Sequence, residues 1–198
     1  MKVGFVLECS PKGPDADIYP YLAGEIFCPK VEVAKPETLV NKENVMNDGP
    51  LVAQTLIADG CDYVFILWDR MPKWGGSGNC DKDIAILENG LARLTVNREQ
   101  VILCCISDML ESWMIINGKF ITQYFQQFSP KQLQAFGDNK DKASQFKPKE
   151  RITKYNGRYN DYTDNFKIVK LIDDFSMHAR WNDSFKFFKE NVERICTN

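Results

Sequence analysis

The chain has 198 residues, 44% hydrophobic and 26% charged, the proportions of an ordinary globular domain with a sizeable core. Twenty-five Lys and Arg against 27 Asp and Glu give a net charge of -2. That excludes a broadly basic nucleic-acid binder but leaves room for a local basic patch.

Lys2–Glu8, KVGFVLE, has the pattern of a buried strand ending on a carboxylate. The opening stretch lacks the longer apolar run and small-residue cleavage site of a secretory signal. No apolar run approaches the ~20 residues that cross a bilayer, so a soluble, cytoplasmic protein without membrane contact is expected. Residues 17–27, DIYPYLAGEIF, read as a helix with Pro20 in its first turn. KVEVAKP, 30–36, is a short second strand. PLVAQTLIADG, 50–60, is a helix stopped by Gly60. DYVFILWD, 62–69, is a third strand. CDKDIAILENGLARL, 80–94, is a helix with Ile84, Leu87, Leu91 and Leu94 at spacings of three and four. QVILCCI, 100–106, is a fourth strand, and SDMLESWMI continues from it as a helix.

From Lys119 the character changes. FITQYFQQFSPKQLQAFG is aromatic and helical, and the next 27 residues or so form a polar, exposed excursion. Two amphipathic helices follow, NFKIVKLIDDF and SFKFFKENVERI, with Asp164 and Asp183 as their N-caps. Continuous apolar strands alternating with helices predict an α/β fold, a Rossmann-like, mainly parallel sheet flanked by helices. The expected division is an α/β core over residues 1–118 and a helical C-terminal extension over 119–198. The seven cysteines include no CxxC pair, and Cys104 and Cys105 are adjacent in an apolar run. Reduced core thiols fit better than a disulfide framework or a zinc site.

Acidic residues fall where such a fold binds ligands, beyond the carboxyl ends of the strands. Glu8 and Asp69 end two core strands. Asp15, Asp81, Asp83 and Glu111 open or flank helices. Two unit charges ~4 Å apart repel by ~4 kcal/mol at a surface-like dielectric, a cost that a hard cation such as Mg²⁺ or Mn²⁺ removes. Singly, each residue also has an ordinary use: a carboxylate at a strand end is a turn or cap residue, and Asp81 and Asp83 suit a helix dipole.

These residues resemble the Toprim superfamily, in which a glutamate ends the first strand and an aspartate motif follows the third. Glu8 in GFVLECS fits the first position and Asp69 in FILWDRM the second. Within the superfamily the chain looks closest to small stand-alone Toprim-like proteins akin to OLD-type nucleases. Asp15 with Pro20 and Leu22, Glu111 with Trp113, and the SFKFF helix match further features. The chain departs from the pattern at Cys9, which replaces a glycine. It departs again after Asp69, where the second aspartate of an Asp-x-Asp motif is missing, so Asp81 or Asp83 would have to supply that carboxylate. The resemblance implies a Toprim-like sheet and an Mg²⁺- or Mn²⁺-dependent nuclease. Its metal ligands would be Glu8, Asp15, Asp69, Asp81, Asp83 and Glu111, with Glu8, Asp69 and Glu111 catalytic. It also implies a downstream lysine, for which Lys149 and Lys154 are the candidates, Lys154 being assigned. DNA or RNA as substrate, a homodimer or an ATPase partner, and a setting in phage defence or mobile-element conflict come with it. The alternative is a non-catalytic module that binds nucleic acid or a partner protein.

Other residues carry weaker signals. KWGGSGN lacks the Lys-Ser/Thr pair of a P-loop. Trp68 is expected to face the core, Trp74 to stand in the loop where it can stack on a base, and Trp113 to pack the acidic helix onto the sheet. His178, the only histidine, is expected at the surface or at a cap. Lys140, Lys142, Lys147, Lys149, Arg151, Lys154 and Arg158, interleaved with Phe146, Tyr155 and Tyr159, form a basic aromatic stretch that suits a nucleic-acid backbone. Asp138, Asp141, Glu150 and Asp161 within it equally suit a solvated excursion.

Overall fold

The computed structural model describes residues 1–71, 78–107, 109–126 and 147–197. Trp74, Gly75 and Gly76 of the 73–79 loop, the second half of the aromatic helix expected over 120–137, and Asp138, Lys140, Asp141, Lys142 and Phe146 lie outside the described residues.

The sheet follows the expected apolar strands. β1 (Lys2–Leu7) pairs in parallel with β4 (Tyr63–Asp69), and β4 in parallel with β5 (Val101–Ile106). The strand expected over 30–36 shortens to β2 (Glu32–Val33), and a further short strand, β3 (Glu37–Thr38), follows just beyond it; both pair with β1 in parallel. Ala34, Lys35 and Pro36 separate them, and Pro36 has no N–H to give a ladder. The lanes therefore run β2/β3, β1, β4, β5. The architecture is α/β with a mainly parallel, Rossmann-like sheet flanked by helices, as the alternation of apolar strands and helices predicts.

Strand alternation sends side chains to two layers. Val6, Val64, Ile66, Trp68 and Leu103 pack under α2 (Lys42–Ala58) and α3 (Cys80–Leu91). Phe5, Leu7, Phe65, Leu67 and Ile102 pack under the other helices. Those are α1 (Asp15–Tyr21), continued by a π-helical turn over Leu22–Phe27, then α4 (Leu110–Met114), α5 (Gly118–Tyr124), α6 (Pro148–Tyr155), α7 (Asp161–Val169), α8 (Ser176–Trp181) and α9 (Asp183–Thr197). Phe188 of α9 meets Phe65 of the sheet at 5.6 Å and Trp113 at 5.6 Å, so early and late parts of the chain share one core.

Several local expectations are corrected. α2 starts eight residues before Pro50, at an Asn41 cap whose side chain accepts the Asn44 N–H, and runs on through Pro50 to the Gly60 stop, where φ is +92°. α3 crosses so close that a Cβ on Gly90 would lie 2.7 Å from the Pro50 ring, so only glycine permits this approach. Pro20 sits past the first turn of α1, and the π turn follows it. The polar excursion contains α6, with Pro148 at its start and Ile152 buried. The caps of the last two amphipathic helices are Asn160 and Asn182, whose side chains accept the N–H groups of Tyr162 and Phe185; Asp164 and Asp183 lie inside the helices. His178 is 1% exposed, packed between Phe175 and Phe185, and among the described residues neither ring nitrogen has a hydrogen-bond partner. Four cysteines are paired, Cys28 with Cys196 and Cys80 with Cys105, while Cys9, Cys61 and Cys104 are free and buried. Spatial proximity across the fold makes those pairs, which linear spacing does not reveal. Among the described residues no helix is long and apolar enough to cross a membrane.

Candidate functional site

The C-terminal ends of β1, β4 and β5 converge on one acidic site. β1 and β4 are adjacent lanes, so Glu8, just past β1, stands beside Asp69 at the end of β4. The backbone N–H of Asp69 donates to Glu8 Oε2 at 3.0 Å. The chain then turns through Ser10 and Gly13 into α1, which begins at Asp15. After β5 it enters α4, whose first turn carries Glu111.

Burial and mutual charge shape this group. Burial is the main force that pushes the Glu8 carboxyl up to about 7, against the Asp69 N–H and the Lys42 charge, which pull it down. Asp15 is pushed up to about 8 by burial and then by the charges of Glu111 and Glu8. Burial raises Asp69 well above the usual carboxylate range, with Asp15, Glu8 and Glu111 adding to it. Four carboxylates therefore share one field, and near neutral pH a proton or a cation must offset it. The neighbouring Cys9 thiol is pushed up to about 12, chiefly by burial, and is no nucleophile at neutral pH.

Glu111 is held from the second half of the chain. Its Oε1 accepts from Tyr159 Oη at 3.1 Å and from Asn165 Nδ2 at 3.1 Å. Trp113, two residues on, packs against Phe185 and Tyr19 and donates its indole N–H to Ser184 Oγ at 2.9 Å, which pins α4 to α9. Lys149 of α6 pairs with Asp161 at 2.5 Å, and its charge acts on both Asp15 and Glu111. Lys154 is exposed and has no ion pair among the described residues, so Lys149 is the lysine at this site. Tyr159 is buried against Glu111 rather than free to stack on a base.

Asp81 and Asp83 are engaged elsewhere, although the charge of Asp83 still adds to the rise at Glu8. Asp81 is exposed in the first turn of α3. Asp83 is fully buried and pairs with Lys42 Nζ at 3.0 Å, while the indole N–H of Trp68 donates to it at 3.2 Å. The same ammonium donates to the Arg70 carbonyl at 2.9 Å. Lys42, first residue of α2, is placed by Val40, which takes a left-handed φ of 68° just before the Asn41 cap. Sequence reasoning missed Lys42, Asn165 and the role of Tyr159. The Asn41 cap was the one signal that could have moved the α2 start back to Lys42.

The donor set, carboxylates only, suits a hard cation. Among the described residues, however, no three acidic, histidine or cysteine side chains are gathered closely enough to hold a metal ion as they stand. Compared with family models, curated proteins and solved structures, the chain matches none.

Proposed function

We propose that this protein hydrolyses nucleic-acid phosphodiesters with Mg²⁺ or Mn²⁺, using Glu8, Asp15, Asp69 and Glu111. The observation that carries the reading is the convergence of these carboxylates at the strand ends, with Glu8 raised to about 7 and Asp15 to about 8. Such a group favours a bound cation, because a cation lets Glu8, Asp15 and Asp69 ionise together beside Glu111. Glu8, Asp15, Asp69 and Glu111 would hold the ion. When bound, it supplies a water of lowered pKa and neutralises charge on the phosphate. Tyr159 and Asn165 orient Glu111 through one oxygen and leave the other uncommitted among the described residues. Lys149 brings positive charge to the side where a phosphate would sit. Asp83 and Lys42, bound to each other, brace the end of β4 and the backbone after it.

A second reading, a non-catalytic Toprim-like module that binds nucleic acid or a partner protein, is favoured by a specific observation. The carboxylate missing after Asp69 is supplied by neither Asp81 nor Asp83. A cytoplasmic setting, an ATPase partner and a part in phage defence belong to the proposal. Disulfides such as Cys28–Cys196 and Cys80–Cys105 are more usual in oxidising compartments, so the assay is run with and without reductant.

The test is cleavage of labelled linear, nicked and supercoiled DNA and of RNA, with Mn²⁺ and with EDTA, for wild type and Glu111→Gln. Cutting that needs the ion and is lost in the variant supports the hydrolase. In parallel, Mg²⁺ or Mn²⁺ should raise the melting temperature of wild type and not of Glu8→Ala or Asp69→Ala. Nucleic-acid binding without cutting and without a metal response supports the second reading.

A further inference from the structure

The outer edge of β5 forms a groove of about 540 Å³ between α3 and α9, lined by Ile84, Leu103, Phe187, Asn191 and Arg194 among others. We infer that this groove is a self-association surface, in which β5 of a second copy pairs antiparallel with β5 and joins two sheets into one.

The backbone says what fits. Ile106 accepts the Arg70 N–H from the β4 side, so by strand alternation Ile102, Cys104 and Ile106 bond inward to β4, while Val101, Leu103 and Cys105 direct their N–H and C=O groups outward. Val101 is satisfied locally: its N–H donates to the Arg98 carbonyl and its carbonyl accepts from the Arg98 guanidinium. Leu103 and Cys105 have no outward partner among the described residues. Unpaired edge groups of this kind are what another strand completes.

The flanks say which strand. A two-fold axis perpendicular to the sheet pairs β5 with its copy antiparallel and sets α9 beside its copy, also antiparallel. α9 runs against β5, since Ser184 Oγ accepts from the Ser107 N–H past the end of β5 while Arg194 lines the groove at the Val101 end. Asp183, Phe187 and Arg194 recur at helical spacing on the face turned toward the edge. Phe187 is 44% exposed, unusual for so large an apolar side chain beside a free strand edge. Asp183 and Arg194 have no ion-pair partner among the described residues and stand at opposite ends of the stripe. Antiparallel packing of two such stripes brings each Asp183 to the Arg194 of the other copy, with the Phe187 rings covered between them. The surface is therefore complementary to itself in charge, shape and hydrogen bonding. This inference does not depend on the proposed activity, and the resemblance that allows a homodimer names no surface for it.

The test is analytical ultracentrifugation of the full chain up to ~100 µM, with hydrogen exchange read at Leu103 and Cys105. The expected result is a species of twice the 22.8 kDa chain mass, with both amides protected at high concentration and exchanging on dilution. Phe187→Lys enters the interface twice and should weaken the dimer at least about tenfold at an unchanged melting temperature of the diluted monomer. Arg194→Asp should also weaken it, and Asp183→Arg added to Arg194→Asp should restore it. A monomer throughout the range overturns the inference. So does a dimer that is indifferent to Phe187→Lys, or one in which Leu103 and Cys105 exchange as freely as in the monomer.

Discussion

Lys42→Met probes the buried pair under the site. The ammonium is 3% exposed and Asp83 0%, so the substitution takes the charge partner from a carboxylate sealed from water, to which the Trp68 indole N–H still donates. Removing one partner of such a pair costs about 3–5 kcal/mol, far above the ~0–1 kcal/mol of a surface pair. The Arg70 carbonyl loses its donor as well. In Lys42→Met/Asp83→Leu neither charge of the pair is stranded, and the Trp68 indole N–H and the Arg70 carbonyl, both neutral, each lose a partner at about 1–3 kcal/mol apiece. The double variant should therefore be more stable than Lys42→Met. Urea unfolding of wild type, both single variants and the double variant, with equal slopes, measures the coupling directly. A Lys42→Met cost below ~1 kcal/mol, or a double variant as unstable as the two singles summed, would refute the reasoning. The site gives a second readout. Lys42 lowers the Glu8 pKa, so Lys42→Met should move the Glu8 carboxyl above about 7, seen by NMR titration of its side-chain carbon.

Three further outcomes follow from the geometry. His178 is held neutral, with burial lowering its pKa from 6.5 to about 4, so the unfolded chain binds more protons between those values. Stability contributed by His178 is full above pH 6.5 and falls by up to about 3 kcal/mol on going down to pH 4, and His178→Leu should flatten that part of the unfolding profile. Glu8 acts in the opposite sense: its folded pKa is raised from 4.5 to about 7, so its contribution is lost as pH rises through that window, and Glu8→Gln should remove this loss. Cys28–Cys196 closes a separation of 168 residues, and Cys28→Ser should cost about 2–5 kcal/mol in denaturant unfolding without reductant and nothing with it.

The strands were the most legible part of the chain because their burial is continuous. VGFVL, VFILW and VILCCI can only be covered on both faces, and such strands run parallel in an α/β layer structure. Glu8, Asp69 and Glu111 were legible as strand-end and helix-start carboxylates for the same reason. What escaped was set by contacts far apart in sequence. Lys42 reads as a surface lysine before a proline-containing stretch until α3 brings Asp83 onto it. Tyr159 and Asn165 sit in a polar run, and only the return of α6 and α7 to α4 makes them Glu111 partners. His178 has the composition of a surface residue, yet Phe175 and Phe185 close around it. The cysteine pairs were hidden for the same reason, since Cys28 and Cys196 meet only when the last helix docks.

That docking sets the order in which the protein can be made. Phe185, Phe188, Val192 and Ile195 of α9 cover the sheet face that Phe5, Phe65 and Ile102 present, and Cys196 fastens the helix to the turn after α1. Among the described residues every strand has been synthesised by residue 106, but the sheet face that α1 and α4 begin to cover stays incompletely covered until residues 183–197 emerge. A ribosome stalled between those points would display a greasy, half-built sheet, so chaperone demand should peak late in translation rather than spread along it.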